Sequence, residues 1–272
     1  QAIFQLGGNL GSALAPLLVI LIILGKRSSG SVLIEETHLE KLIWFVLFPA
    51  VAILILFFIG NWRKKLLKKA QTTSKREIPL PDLTHAQIRN SVIILMLLVF
   101  SKNFYTAGIS NYFQFYTLEK FGFSHAQAQL YLFYYLGAAA AGTLIGGFFG
   151  DRVGRKFIIW FSILGTAPFA LWLPYADADT TAILVILIGF IISSAFASIL
   201  VYSQELLPKK IGMISGVFYG FAFGMGALGS AILGKLIDMT SITFVYKVCS
   251  FLPLMGLIAY FLPNLKKVKM RE

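Results

Sequence analysis

Charge is scarce in this sequence. Asp, Glu, Lys and Arg make up 13% of 272 residues, where an ordinary soluble domain carries about 25%. Acidic residues are the scarcer sign, 12 against 24 basic ones, and none falls in the middle of an apolar run. There is one cysteine, Cys249, inside an apolar block, so neither a disulfide framework nor a cysteine-ligated metal can be built. The three histidines, His38, His85 and His125, sit in connections with no spacing suited to zinc. Neither H-E-x-x-H nor G-x-S-x-G occurs, which leaves an intramembrane hydrolase without a visible metal site or nucleophile. No catalytic residue, metal or cofactor is expected, and the chain does not read as an enzyme.

Apolar residues are abundant: 57% of positions are A, V, I, L, M, F, W, Y or C. They come in blocks of about 20, the length an α-helix needs to cross a hydrocarbon core about 30 Å thick. A soluble core would break them into stripes of period 3.6 or alternations of period 2. The pattern predicts an all-α integral membrane protein with about eight spans, at 3–25, 42–61, 91–116, 126–149, 157–174, 181–203, 212–237 and 243–262. The chain starts at Gln1, already within an apolar stretch, which raises the expectation of a fragment. Thr84 with Gln87 and Ser124 with Gln127 fit capping boxes at the starts of the third and fourth spans.

The formal charge of +12 would suggest nucleic acid in a soluble protein, but its distribution points to a bilayer. Seventeen of the basic residues fall in segment 63–90, turn 150–156, segment 204–211 and the tail; four (Lys26, Arg27, Lys41, Lys120) fall in the connections on the other side. The positive-inside rule makes the first set cytoplasmic, so linker and C-terminus are expected inside. The basic run from Arg63 to Lys69 suits anionic lipid heads, and no nucleic-acid partner is expected. Segment 63–90, with Pro79 and Pro81, separates two spans from six. The expected organisation is therefore 1–62 as two helices, 63–90 as a linker, 91–262 as a six-helix unit and 263–272 as a tail.

One charged residue, Lys102, lies near the middle of a span. A lysine at helix centre costs about 2.5–3.5 kcal/mol on insertion scales, so such residues face a protein-lined or aqueous cavity. Lys235 and Lys247 sit near span ends, where their heads can snorkel. Tyr105, Tyr112 and Tyr116 fall near the Lys102 face, with Asn103, Ser110, Asn111 and Gln114 beside it. A cation with hydrogen-bond donors suits an anionic ligand, and Lys102, Tyr105, Asn103 and Tyr112 are the expected substrate-binding residues. A structural lysine, held by carbonyls or by a helix outside the chain, is the plainer alternative.

The turn after the fourth span reads Gly147-Phe-Phe-Gly150-Asp151-Arg152-Val153-Gly154-Arg155-Lys156. Its glycines permit a tight turn, and Asp151 can accept charge-assisted bonds from helix amides or Arg155. Positive-inside charge alone would account for Arg152, Arg155 and Lys156, but not for Asp151 and the glycine spacing. Small residues also recur every four positions at Gly212, Gly216, Gly220 and Gly224, at Ala222, Gly226, Ser230 and Gly234, and at Gly7, Gly11 and Ala15 before Pro16. Such spacing lets helix backbones approach closely, either as static packing or at a moving interface.

The pattern Gly147-x-x-x-Asp151-Arg152-x-Gly154-Arg155-Lys156 resembles the cytoplasmic loop signature of the major facilitator superfamily, in its C-terminal-half copy. The stretches Phe4-Gln5-Leu6-Gly7-Gly8-Asn9, Phe100-Ser101-Lys102 and QELLPKKIGMISGVFYGFAFGMG from Gln204 to Gly226 resemble the fosmidomycin resistance protein family of exporters. Where antiporter-type members have Gly-Pro, this chain has Ala15-Pro16. The resemblance implies the C-terminal two-thirds of a twelve-helix fold in a bacterial inner membrane, four helices lying ahead of this chain. It also implies export of a small anionic or drug-like compound, such as a phosphonate, by proton antiport. Gly147, Asp151, Arg152, Gly154, Arg155 and Lys156 would belong to a conformational latch, with Glu205 as third partner. Gly7, Gly11, Pro16, Gly216, Gly220 and Gly224 would pack helices. The proton carrier lies in the helices outside this chain, or is Lys102, or does not exist. An uptake symporter on the same fold would share these features; a membrane enzyme or channel should show a catalytic set or a pore-lining ring, and neither is visible.

Overall fold

A computed structural model describes residues 2–29, 32–37, 43, 46–70 and 83–265. They form two compact units, one of Gln1–Leu17 with Pro79–Glu272 and one of Leu18–Ile78. Among the described residues, seven helical segments are long and apolar enough to cross a membrane, and Pro49–Trp62 is a shorter apolar helix. The membrane-helical class expected from the sequence is therefore found.

In the smaller unit a π-turn, Val19–Ile23, leads into an antiparallel hairpin of β1 (Leu24–Ser29) and β2 (Val32–Thr37), in register Leu24 with Thr37 and Ser29 with Val32. This hairpin, in a connection between apolar segments, adds a short strand pair that periodicity did not suggest. Helix α2 (Leu47–Ala70) follows. It runs past its apolar part into the basic sequence, so the start of the expected linker is helical. Residues 71–82 and 266–272, with Lys75, Arg76, Pro79, Pro81 and the basic tail, lie outside the described residues, as do His38 and Lys41.

The larger unit begins with α1 (Ala2–Leu18), which carries Pro16 inside it. It continues with α3 (His85–Phe121) and α4 (His125–Val153). Both capping boxes are present: the hydroxyls of Thr84 and Ser124 accept from the N3 amides, and the Gln87 and Gln127 side chains accept in return. The box at Thr84 starts α3 well before its apolar span, so the end of segment 63–90 is helical too. Gly122 ends α3 in the left-handed region at φ 65°, where a Cβ would be strained.

The next membrane crossing is broken, with α5 (Arg155–Leu164), α6 (Ala167–Trp172) and a 3₁₀ turn at Leu173–Tyr175. Lys120, near the end of α3, closes this end. Its ammonium donates to the Tyr116 hydroxyl at 2.9 Å and to the carbonyls of Pro174 and Ala176 at 3.0 and 2.7 Å. A cation thus meets the carbonyl end of a helical run, where orphan acceptors and the dipole favour positive charge.

The following crossing kinks at Ser193–Ser194, between α7 (Ala178–Ser193) and α8 (Ala195–Leu206). The Ser194 hydroxyl donates back to the Ile191 carbonyl at 2.7 Å, a side-chain bond that competes with the helical ladder and bends it. Asp177 caps α7 by accepting from the Thr180 amide at 3.0 Å. The Thr180 hydrogen bonds hold its carboxyl below the usual aspartate range. A lowered value keeps the cap charged above the ordinary carboxylate pKa, and it is lost only as pH falls through that lowered value. A 3₁₀ turn at Pro208–Lys210 leads into α9 (Ile211–Met239), then α10 (Ile242–Cys249) and a 3₁₀ stretch, Leu252–Phe261.

Between helices in lipid, close backbone contact replaces the hydrophobic drive. Here that contact is made along α4 by Gly142, Gly146 and Gly150. A Cβ on these glycines would meet the Phe190 backbone, Ser194, and the Ser198 hydroxyl respectively. Glycines every four residues on one helix therefore face residues every four on the α7–α8 crossing. A buried aromatic core lies between α3, α4, α7 and α10. Within it Tyr116 stacks on Tyr246 at 4.3 Å, and the Tyr246 hydroxyl donates to the Gly108 carbonyl at 3.1 Å.

Candidate functional site

Lys102 lies near the midpoint of the 37-residue α3 and is 9% exposed. Its ammonium stands 5.2 Å from the centroid of the Phe196 ring and makes no hydrogen bond or ion pair among the described residues. Phe196 is the second residue of α8, just after the Ser193–Ser194 kink. The neighbouring Ser101 hydroxyl donates to the Leu252 carbonyl at 2.6 Å, which fixes this part of α3 against the last crossing. The kink and this bond set lysine and ring facing each other. An aromatic face provides roughly 0.5–2 kcal/mol to a cation, less than the roughly 2.5–3.5 kcal/mol insertion cost of the charge. The site is thus a buried cation with room for better compensation by an anion.

The other expected binding residues are differently placed. Asn103 donates to the Val99 carbonyl of its own helix at 2.8 Å. Tyr112 donates to the Ser230 carbonyl at 2.7 Å, beside Asn111, which donates to the Ser230 hydroxyl at 2.7 Å; both tie α3 to α9. Tyr105 is 2% exposed, and its hydroxyl has no hydrogen-bond partner among the described residues. It helps line a narrow apolar pocket with Gly108, Tyr246 and Cys249. Lys102 is thus joined by Phe196, which sequence reasoning missed. Phe196 is one of 25 phenylalanines, 94 positions from Lys102 in the chain, and nothing local marks it.

At the other end of the bundle, α4 and α5 meet at Gly154, whose φ of 117° makes the sharp turn. This turn places Arg155 at the start of α5, where its guanidinium donates to the Glu205 carboxylate at the end of α8. Lys156 donates to the Tyr260 carbonyl at 2.8 Å and lies over that ring, and Arg152 lies over the Phe148 ring. Asp151 is in the last turn of α4, and its side chain is outside the described residues. Gly147 is next to Gly146, on the same helix. Arg155 and Glu205 side chains are 26% and 42% exposed, so their bond adds at most about 1 kcal/mol to stability.

Among the described residues, a Cβ on the expected packing glycines Gly7, Gly11, Gly216, Gly220 or Gly224 would meet nothing within 4 Å. On α1, Ala13 and the expected Pro16 are buried, and Asn9 donates to the Thr143 hydroxyl of α4 at 2.6 Å.

A kinked bundle of membrane-length helices, with a cation buried near the middle of one of them and a charged turn at one end, marks a multi-pass membrane protein. The sequence profile of the Major Facilitator Superfamily matches residues 1–230, and the chain belongs to that superfamily. It is 50% identical, over 97% of its length, to the fosmidomycin resistance protein of Escherichia coli, of which it covers 62%. It is 37% identical over 99% of its length to the uncharacterized MFS-type transporter YfnC of Bacillus subtilis, covering 64% of that protein. The cis,cis-muconate transport protein of Acinetobacter baylyi is 27% identical over 74% of this chain and is covered to 49%. The chain therefore spans about three-fifths of the length of the first two relatives. Membership places the chain in a membrane setting, within a superfamily of transporters.

Proposed function

We propose that this chain is the C-terminal part of a twelve-span exporter of small anionic compounds, a fosmidomycin-like phosphonate among them. The observation that carries the reading is the buried ammonium of Lys102, compensated among the described residues by a ring face alone. Two relatives are named for resistance to fosmidomycin and for transport of cis,cis-muconate, and the anionic character of both compounds supports an anionic cargo. In this reading 1–62 completes the N-terminal half, 63–90 is the cytoplasmic linker, 91–262 is the C-terminal half and 263–272 a cytoplasmic tail. The membrane is the bacterial inner membrane.

Transport proceeds by alternating access, with substrate between the halves near the midplane. Protons drive export: one proton crossing 100 mV supplies about 2.3 kcal/mol, enough for a roughly 50-fold gradient. The chain has no mid-span Asp or Glu, so the proton is carried by helices outside it or by Lys102. The test is fosmidomycin accumulation in cells with and without the complete transporter, before and after collapse of the proton gradient and potential. Lower accumulation that collapse abolishes is expected. Equal accumulation with and without the transporter would remove the substrate, and export insensitive to collapse would remove the antiport.

The Arg155–Glu205 bond, with Asp151, serves in this reading as the cytoplasmic latch of one of the two access states. Because the pair adds little to stability, its loss is expected to change turnover rather than yield of folded protein. Arg155→Glu should cut the transport rate about tenfold or more, and adding Glu205→Arg should recover a substantial part. A double variant as slow as the single one would count against a latch made by this pair.

A further inference from the structure

We propose that Phe196 is the positioning residue of the anion site: it holds the Lys102 ammonium on its face and orients the remaining N–H donors toward an incoming anionic oxygen. The proposal rests on the transporter reading above. Three elements converge here. Lys102 comes from α3, Phe196 from the first turn of α8, and Tyr219 from α9 meets the Phe196 ring edge-to-face at 5.4 Å. Tyr219 in turn stacks on Phe223, one helical turn further along α9, at 6.4 Å. The edge contact from Tyr219 keeps the Phe196 face turned toward the lysine, and the serine kink just before Phe196 fixes where its helix restarts.

The chemistry follows from the ammonium's three donors. A ring face takes up one side of the charge without accepting a full hydrogen bond, so donors stay available. A carboxylate partner would neutralise the charge and close the site. The ligand this suits carries a compact terminal anion, a phosphonate or a carboxylate, that the ammonium meets end-on. Its hydrocarbon part then lies along the Phe196 and Tyr219 rings. With the ring gone, the four-carbon stem of Lys102 is free to adopt other rotamers, and binding of the anion bears the cost of ordering it.

The experiment is concentration-dependent transport of radiolabelled fosmidomycin by the complete transporter in proteoliposomes, comparing wild type, Phe196→Leu and Phe196→Tyr. Loss of a desolvated cation–π contact corresponds to about a tenfold rise in KM. Phe196→Leu is expected to show that rise with kcat unchanged, and Phe196→Tyr, which keeps the ring, to stay within about twofold of wild type. A change in kcat alone, a wild-type KM in Phe196→Leu, or a Tyr variant as impaired as Leu would overturn the role of Phe196 while leaving the exporter standing. Absence of transport by the wild type would instead overturn the exporter reading, and this inference with it. Phe196→Met answers the same question if the leucine variant does not fold.

Discussion

Lys102→Met in the complete transporter is expected to abolish phosphonate export while leaving the protein at least as stable as the wild type. Methionine keeps the length of the side chain and removes its charge. A charge-assisted hydrogen bond from a buried cation to an anion is worth about 2–5 kcal/mol when one partner is removed. Export should therefore fall by about a hundredfold, and accumulation should rise to the level of cells without the transporter. Stability moves the other way, because insertion of the charge costs roughly 2.5–3.5 kcal/mol and the ring of Phe196 returns only part of that. The opposite signs separate function from structure. A lysine kept for packing would give a methionine variant that unfolds more readily and, when folded, still exports. Near-normal export by folded Lys102→Met would remove the lysine from the mechanism.

Gly142→Ala and Gly146→Ala are expected to be severely destabilising, although Gly→Ala in a helix ordinarily gains about 1 kcal/mol. At Gly142 the new methyl would fall on the backbone of Phe190, and at Gly146 on Ser194. Backbone cannot rotate out of the way as a side chain can, so α4 and the α7–α8 crossing must separate. Overpacking of this kind costs about 1–3 kcal/mol and occasionally more. Because the two rigid helices part along their whole shared length, these variants belong at the upper end. Gly216→Ala and Gly220→Ala in this same chain have no neighbour within 4 Å of the new methyl among the described residues and should be neutral or up to about 1 kcal/mol more stable. Unfolding midpoints in a mixed-detergent titration compare the four directly. Equal midpoints for Gly142→Ala and Gly216→Ala would show that the close approach along α4 does not hold the bundle.

These two pairs of glycines also show how far reading the residues reaches. Spacing every four residues is the same at Gly142, Gly146 and Gly150 as at Gly212, Gly216, Gly220 and Gly224, yet within this chain it is the first set that is packed. Spacing states which face of a helix is small; whether a neighbour lies against that face depends on the rest of the fold. Lys102 was legible because a charge in an apolar run is costly wherever the helix packs. Asn103 and Tyr112 share its helix and are polar, yet their groups are taken up by Val99 and Ser230. The helix direction of each residue was available from its number, and the acceptor that satisfied it was not.

What the sequence determined by itself is everything set by local free energy against water and lipid. That covers the membrane class, the approximate spans, the capping boxes at Thr84 and Ser124, the turn at Gly154 and the depth of Lys102. Each depends on residues within a few positions of one another, through hydrocarbon transfer, backbone geometry or a single hydrogen bond. The tertiary structure alone decided which small face is packed and that Phe196 is the partner of Lys102; that Arg155 pairs with Glu205 fifty residues away was implied by the family resemblance and by nothing in the local sequence. Those contacts join distant segments, and in a bilayer, where every apolar helix face is equally content with lipid, only the shape of the neighbouring helix selects among them.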